Sequence, residues 1–432
     1  MRLDDMGFLI ISEGGDGLGL AIRLQNEGHK TSMWIRDPIS DQRGEGLVQK
    51  GEVPELNSTI IADCTGAGAL LDSYRSSEIR TFGGSQIADK LESDRKLATE
   101  VFNECKIPQP NSQNFTNWEE AEEYINNYEG ESKLVFKPEG KFSGVLPSYV
   151  PNNNDELLSM FEHFKGIIGS EEPEFVLQEF IEGTCISSEI WCAKGQPIWP
   201  TNHTLERKQF MNGDIGPSGG CTGNVVWRCD DMSCPLCANL LKLEPFLKEH
   251  EWTGPIDINT VVSNEGSIYA LEFTPRMGYD AFPTFLSGLF EGDFGGFIND
   301  SCRGDSRDQP LREGFAAGIR VSLPPWPSED FHSKSGIEIR GLRESDVSGM
   351  APSFYPYEVS SQKDTYVTSG GWGAVGVCVG YGKDVETAFD EAYSMVKKLK
   401  IPDMQYRTDF AHVFKKDLYM LRRAFNKTFA RV

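Results

Sequence analysis

Between Ile256 and Gly278 the chain places acidic, amide, hydroxyl and guanidinium side chains at alternate positions. Ala270-Leu271-Glu272-Phe273-Thr274-Pro275-Arg276 reads as a strand with Leu271 and Phe273 on one face and Glu272, Thr274 and Arg276 on the other. Ile256-Asp257-Ile258-Asn259 alternates in the same way just upstream and connects through Ser263-Asn264-Glu265-Gly266. A two-residue hairpin turn at Glu265-Gly266 sets Asp257 opposite Thr274 and Asn259 opposite Glu272. Leu271 and Phe273 then enter a core, while the other face gathers two carboxylates, an amide, a hydroxyl and an arginine. Such a face can cradle a hard cation and a phosphate chain, because Mg²⁺ takes oxygen ligands and is shared between carboxylates and substrate phosphates. A solvated sheet face has the same pattern, so the elements around the hairpin must decide.

Those elements begin with an α/β unit. Phe8 to Ile11 is an apolar strand, Gly14-Gly15-Asp16-Gly17-Leu18-Gly19 a glycine-rich turn, Leu20 to Glu27 a helix, and Thr31 to Ile35 the next strand. Ile60 to Asp63 and Ile79 to Gly84 complete it. A helix follows over Ser85–Glu104, interrupted at Ser93-Asp94, and then a break at Pro108-Gln109-Pro110. Residues 108–182 read as a compact α+β unit: a helix over Trp118–Tyr128, a strand over Lys133–Pro138, a helix over Asp155–Phe164 and a strand over Phe175–Ile181. Further strands and the glycine-dense loop Asn212–Gly220 lead into the hairpin. Beyond about residue 312, strands are expected at Ala317–Leu323, Gly336–Arg340 and Gly373–Val379, with an amphipathic helix over Val385–Lys398.

Composition bounds the class. The 432 residues suffice for two or three domains, and 39% hydrophobic with 25% charged residues is ordinary for a globular protein. A net charge of −23 with no basic run argues against a polynucleotide partner. No apolar run approaches the roughly 20 residues that span a bilayer. The start, Met1-Arg2-Leu3-Asp4-Asp5, lacks a signal-peptide core, so a cytoplasmic protein acting on small molecules, away from membranes, is expected. Ten scattered cysteines do not form a secreted disulfide framework. Cys221, Cys229, Cys234 and Cys237 cluster in sequence, with a structural zinc site as one reading; the usual second CxxC or His pair is missing, so reduced cysteines beside a helix are the expectation.

In this order the pieces resemble the ATP-grasp superfamily, and within it the phosphoribosylamine–glycine ligases (glycinamide ribonucleotide synthetases) of purine biosynthesis. The likeness rests on Leu91-Glu92-Ser93-Asp94-Arg95, on Val135-Phe136-Lys137-Pro138-Glu139-Gly140, and on Gln178-Glu179-Phe180-Ile181-Glu182-Gly183. It continues through Gly213-Asp214-Ile215-Gly216-Pro217-Ser218-Gly219-Gly220, Leu271 to Gly278, and Thr368-Ser369-Gly370-Gly371. The resemblance implies an ATP-grasp fold in three parts: an open α/β domain over 1–86, an ATP-grasp domain over 87–312 with a mobile subunit at about 108–182, and a C-terminal α/β domain over 313–432. It implies an ADP-forming carboxylate–amine ligase, a monomer or small homo-oligomer, that activates an amino acid such as glycine as an acyl phosphate. It also assigns roles. Arg95, Lys137 and Lys141 would meet phosphates, Glu179, Phe180, Ile181 and Glu182 the adenosine, and Glu272, Thr274 and Asp257 would hold Mg²⁺ or Mn²⁺. Arg276 and Lys137 would serve the reaction. Gly15, Gly17, Asp214, Gly216, Pro217, Ser218, Gly219, Gly220, Arg276 and Gly278 would bind substrate.

The chain departs from that pattern at the acceptor end. Thr274 stands where the family has Asn, Gly278-Tyr279-Asp280-Ala281 replaces Gly-Asp-Pro-Glu, and Gly14-Gly15-Asp16-Gly17-Leu18 replaces Gly-Gly-Arg-Glu-His. An aspartate in place of an arginine is unfavourable beside a phosphate, so a rebuilt acceptor pocket for a different amine, such as a modified nucleotide or sugar, is the alternative. Two other classes compete: a nucleotide-binding relative without turnover, and a Rossmann oxidoreductase suggested by Gly14–Gly19 with Asp37. The second lacks the strict glycine spacing and any hydride-transfer site.

Overall fold

The computed structural model describes residues 7–425 apart from 38, 40, 41, 55, 56 and 329–331. Strands β1 (Gly7–Ser12), β2 (Lys30–Ile35), β3 (Gln49–Lys50), β4 (Thr59–Ala62) and β5 (Thr81–Phe82) form a parallel sheet in the order β3-β2-β1-β4-β5. Phe8 to Ile11 are all buried, as a central parallel strand covered on both faces requires. The chain runs outward in opposite directions from β1. The crevice beyond the carboxyl ends of β1 and β4, where such sheets bind ligands, therefore holds the Gly14–Gly17 turn and Asp63.

A second unit is built from β6 (Ser112–Phe115), β7 (Leu134–Pro138) and β8 (Phe175–Glu179), antiparallel in the order β6-β8-β7. The helices Trp118–Asn126 and Asn154–Ile168 pack on it, and Trp118, Phe136, Phe161, Phe164 and Phe175 form its own core. Because Phe136 turns into that core, Lys137 must turn away from it.

The centre is an eight-stranded sheet of β9 (Gly183–Ala193), β10 (Gln196–Met211), β11 (Ile215–Cys229), β12 (Gly254–Ser263), β13 (Ile268–Thr274), β14 (Phe315–Ser322) and β15 (Phe354–Pro356). After the small hairpin β16 (Val359–Gln362) and β17 (Thr365–Thr368), β18 (Ala374–Gly382) completes it. The order is β13-β12-β9-β10-β11-β14-β18-β15, so the sheet runs unbroken across residue 312. The helix Val385–Lys398 covers β14 and β18 through Val385, Phe389, Ala392 and Val396.

The structure revises several expectations. The hairpin turn is a three-residue loop, not Glu265-Gly266 alone: Ser263 N–H donates to Ser267 O, and Gly266 takes φ +90°. That shifts the pairing by one residue, and a bulge at Leu271 shifts it back, so Asp257 still faces Thr274 and Asn259 still faces Glu272. The cost falls on Leu271: Ala270 and Phe273 enter the core, while Leu271 lines a cleft. Gly336–Arg340 is not a strand and makes only isolated bridges, Glu338 to Val367 and Arg340 to Lys400. The expected loop 212–220 is the β10–β11 hairpin, with β11 already begun at Ile215. An unanticipated helix, Phe410–Ala424, buries Phe410, Phe414, Leu418 and Leu421, a 3–4 spacing present in the sequence.

Candidate functional site

Lys137 leaves β7 toward a cleft between the three-stranded unit and the edge strand β13, which it lines with Arg95, Glu139, Gln178, Leu271 and Glu272. Arg95 opens the helix Arg95–Glu104, whose first turn is capped by Asp94 accepting from Leu97 N at 3.1 Å. Phe102 stacks on Phe273 at 4.0 Å, which pins that helix to the buried face of β13. Burial lowers the Lys137 pKa to about 8, Arg95 adds to the fall, and Glu272 opposes it. Two cations and a carboxylate thus face one another across a cleft of about 580 Å³.

Beyond Glu272 lies a second, smaller cavity of about 180 Å³. Its walls carry the carboxylates Glu92, Glu189, Glu206, Asp257 and Glu272 against the cations Lys208 and Arg276. Glu92 and Glu272 line both cavities, so the two meet there. Burial pushes Glu189 up to about 7, although it accepts from Asn202 Nδ2 at 2.8 Å. Asp257 is raised well above the usual carboxylate range by burial and by the charges of Glu189 and Glu206. Asn259 Nδ2 donates to Thr274 Oγ1 at 2.9 Å and to Asp257 Oδ1 at 3.2 Å, and its carbonyl accepts from Ser187 at 2.7 Å. Lys208 Nζ sits 3.5 Å from Glu206 and 3.8 Å from Glu272.

Arg276 is buried. It donates to Glu92 Oε1 from Nη2 at 2.8 Å and stacks its guanidinium 3.9 Å over the Tyr279 ring. The other Glu92 oxygen is buried without a partner at the junction of the cavities. Asp280, which follows Tyr279, is locked by Arg320 Nε at 2.9 Å and by the Tyr357 hydroxyl at 3.0 Å. Gly278-Tyr279-Asp280-Ala281 therefore has its own buried anchor.

The glycine turn after β1 carries Asp16 next to Asp63, whose pKa is raised to about 7 by burial and then by Asp16. Asp63 Oδ2 is buried without a hydrogen-bond partner, and a Cβ on Gly17 would lie 2.6 Å from it. Gly15, at φ +90°, has already given its N–H to Ser12 Oγ at 2.9 Å. A cation does stand beside this turn: Arg43, which lies 2.6 Å from Glu358 and 3.9 Å from Asp16.

Other expected site residues fall elsewhere. Lys141 pairs with Glu171 and lies outside the lining of the cleft. Glu179 accepts from Asn111 Nδ2 at 3.0 Å, and Lys133 lies 4.5 Å over the Phe180 ring. Ile181, half-buried, and Glu182, exposed, join β8 to β9. Asp214, in the β10–β11 turn, pairs with Arg207 at 3.1 Å and Arg407 at 2.8 Å. Gly216 abuts Met211, Pro217 and Ser218 are exposed, and Gly219 packs under Trp326; only Gly220 of that run lines the acidic cavity, with Gly278 across from it. Cys221 lines it too and stands apart from the other three clustered cysteines. Lys208, Glu206 and Arg43 were missed. On β10 the signal was alternation, since Asn202, Thr204, Glu206 and Lys208 all face the cavity.

A three-stranded unit over the edge of a large antiparallel sheet, flanked by N- and C-terminal α/β parts, is the arrangement of the ATP-grasp fold, and this chain has that fold. Residues 93–256 match the family model "Phosphoribosylglycinamide synthetase, ATP-grasp (A) domain". The phosphoribosylamine–glycine ligase of Neisseria meningitidis serogroup B is 25% identical over 419 residues, covering 93% of this chain and 92% of that protein. The crystal structure of phosphoribosylamine–glycine ligase from Thermotoga maritima superimposes with a TM-score of 0.71 at 19% identity, covering 93% of this chain and 99% of that one. The biotin carboxylase domain of Hydrogenobacter thermophilus 2-oxoglutarate carboxylase, solved with MgADP and bicarbonate, has a TM-score of 0.63 at 13% identity, covering 98% and 94%. The chain is thus related at low identity to several kinds of ATP-grasp enzyme.

Proposed function

We propose that this protein is an ADP-forming carboxylate–amine ligase of the phosphoribosylamine–glycine ligase type. The observation that carries the reading is the meeting of the cation-lined cleft and the acidic cavity at Glu92 and Glu272. ATP laid along the cleft brings its terminal phosphate to that junction, with Lys137 and Arg95 against its oxygens. The donor set at the junction is all oxygen and suits a hard cation. Glu272 would hold that cation, with Thr274 and Asp257 on the same face. Mg²⁺ or Mn²⁺ held by these residues would supply charge neutralisation for the phosphates. Arg276, held by Glu92 and Tyr279, is placed to receive the substrate carboxylate. Carboxylate oxygen attacks the terminal phosphorus, ADP leaves, and the amine nitrogen then displaces phosphate from the acyl phosphate to form the C–N bond. The protein's part is positioning and charge stabilisation.

Glycine, or another small amino acid, is the acid in this reading, and phosphoribosylamine or a related amine the acceptor. A specific observation favours the related amine: at the first turn Asp16 and Asp63 face the crevice, the Gly15 N–H is spent on Ser12, and Arg43 is paired with Glu358. That turn suits hydroxyls or an ammonium better than a phosphate. A coupled ADP assay with glycine and freshly generated phosphoribosylamine, run beside unphosphorylated ribosylamine and other sugar amines, tests both statements. Turnover with phosphoribosylamine supports the purine-pathway acceptor; turnover only with another amine moves the acceptor and keeps the ligase. Absence of ADP with every pair overturns the ligase.

A further inference from the structure

Behind the acidic cavity, on the other face of the same strands, four buried side chains converge. His203 comes from the middle of β10, Cys229 from the end of β11, and Cys234 and Cys237 from the start of the helix Pro235–Lys242. Their ligand atoms all lie within 4.8 Å of one another. Cys237 Sγ is 3.7 Å from Cys229 Sγ, and His203 Nε2 is 3.8 Å from Cys234 Sγ and 4.0 Å from Cys237 Sγ. The sulfur–sulfur separation is far beyond the roughly 2.05 Å of a disulfide. It matches the edge of a tetrahedron with Zn–S bonds of about 2.3 Å, which is roughly 3.8 Å. Nδ1 of His203 lies 2.9 Å from Ser188 Oγ, an outer hydrogen bond that orients the ring with Nε2 toward the sulfurs.

We infer that His203, Cys229, Cys234 and Cys237 form a structural zinc site. Three sulfurs and one imidazole nitrogen in a tetrahedral arrangement select zinc among common cations. All four positions are supplied by the protein, so none is open for a substrate. Loading takes Zn²⁺ from solution and releases the three thiol protons, leaving three thiolates and a neutral imidazole on the metal. The spacing Cys-x4-Cys-x2-Cys hid the site because its fourth ligand is a lone histidine on a neighbouring strand. The placement gives the ion a task. Ser188 stands between Ser187 and Glu189, and His203 between Asn202 and Thr204, and those four flanking residues line the acidic cavity. Zinc would therefore brace β9, β10 and the end of β11 from behind the site.

The test is the metal content of the full-length, fully reduced protein from zinc-supplemented cells, measured by elemental analysis. One zinc per chain is expected, retained in Cys378→Ser, whose cysteine is buried on β18 away from the group, and lost in Cys237→Ser and His203→Gln. Ser188→Ala should weaken zinc binding by roughly 10–100-fold in competition with a chromophoric chelator. If the ligand variants fail to fold, wild-type protein grown on cobalt decides: intense visible d–d bands with a sulfur-to-cobalt charge-transfer band mark a tetrahedral thiolate site. Zinc at background level in the reduced wild type, zinc retained in Cys237→Ser, or weak octahedral cobalt bands would overturn the site. So would a Cys229–Cys237 disulfide found by mass spectrometry in freshly lysed cells.

Discussion

Lys137 shows how one residue's environment sets a pH window. Its pKa is lowered to about 8 by burial and by Arg95, against an unfolded value of 10.5. Between these values the unfolded chain binds the extra proton, so this residue makes stability rise with pH from about 8 to 10.5. Nucleotide binding runs the other way, because a phosphate needs the charged ammonium. The KM for ATP should therefore rise above pH about 8, and Lys137→Arg, which keeps its charge, should move that rise to higher pH. An unchanged profile in the variant would show that another group governs it. Glu272→Gln should abolish Mg²⁺-dependent ADP formation with the melting temperature preserved, since Glu272 is exposed and removes no core contact. Lys137, Arg95 and Glu272 were legible because each lies in a short motif. Lys208 and Glu206 were not, because alternation along β10 shows that they share a face but not that this face turns to a cavity.

At the scale of elements, the hairpin carries the lesson. The pairing of Asp257 with Thr274 was legible from alternation, yet two deviations produce it: the longer turn and the bulge at Leu271 cancel. Alternation within a strand reports its face but not an inserted residue, so Leu271 was assigned to the core when it belongs to the cleft. The hydroxyl of Thr274 accepts from Asn259 Nδ2, so an amide reaches Thr274 from the neighbouring strand β12. Thr274→Asn should keep or raise ADP formation if the strand tolerates a second amide. A severe loss would show that the hydrogen bond from Asn259 holds the geometry. The break at Ser93-Asp94 is a helix cap: Asp94→Ala should cost about 1 kcal/mol of stability in urea unfolding. Because Arg95 sits in that first turn, the KM for ATP should rise more than kcat falls.

Over the whole molecule, the proposed acceptor site draws on parts distant in sequence. The first turn brings Asp16, the β4 end Asp63, the loop before β3 Arg43, and the segment after β13 Arg276 and Tyr279; Asp16 acts electrostatically on both Asp63 and Arg276. The fold was legible as an ordered series of motifs, whereas this convergence was not, because Arg43 and Glu358 lie in no motif, stand 315 residues apart and meet where Gly44 N–H donates to Val359 O at the start of β16. Their ion pair restores a positive charge near the turn and at once neutralises it. Asp16 therefore remains the charge that an incoming acceptor meets. Asp16→Asn should lower the KM of phosphoribosylamine by removing a like charge from its phosphate. For an acceptor that presents an ammonium or hydroxyl there, the same substitution should raise the KM, because an attractive partner is lost. The KM for glycine, bound at Arg276 beyond the turn, should change less than either. Measured with a panel of amines, the sign of the Asp16→Asn effect reports which end of the acceptor faces the turn, and a fall for phosphoribosylamine alone would return the assignment to a phosphate site.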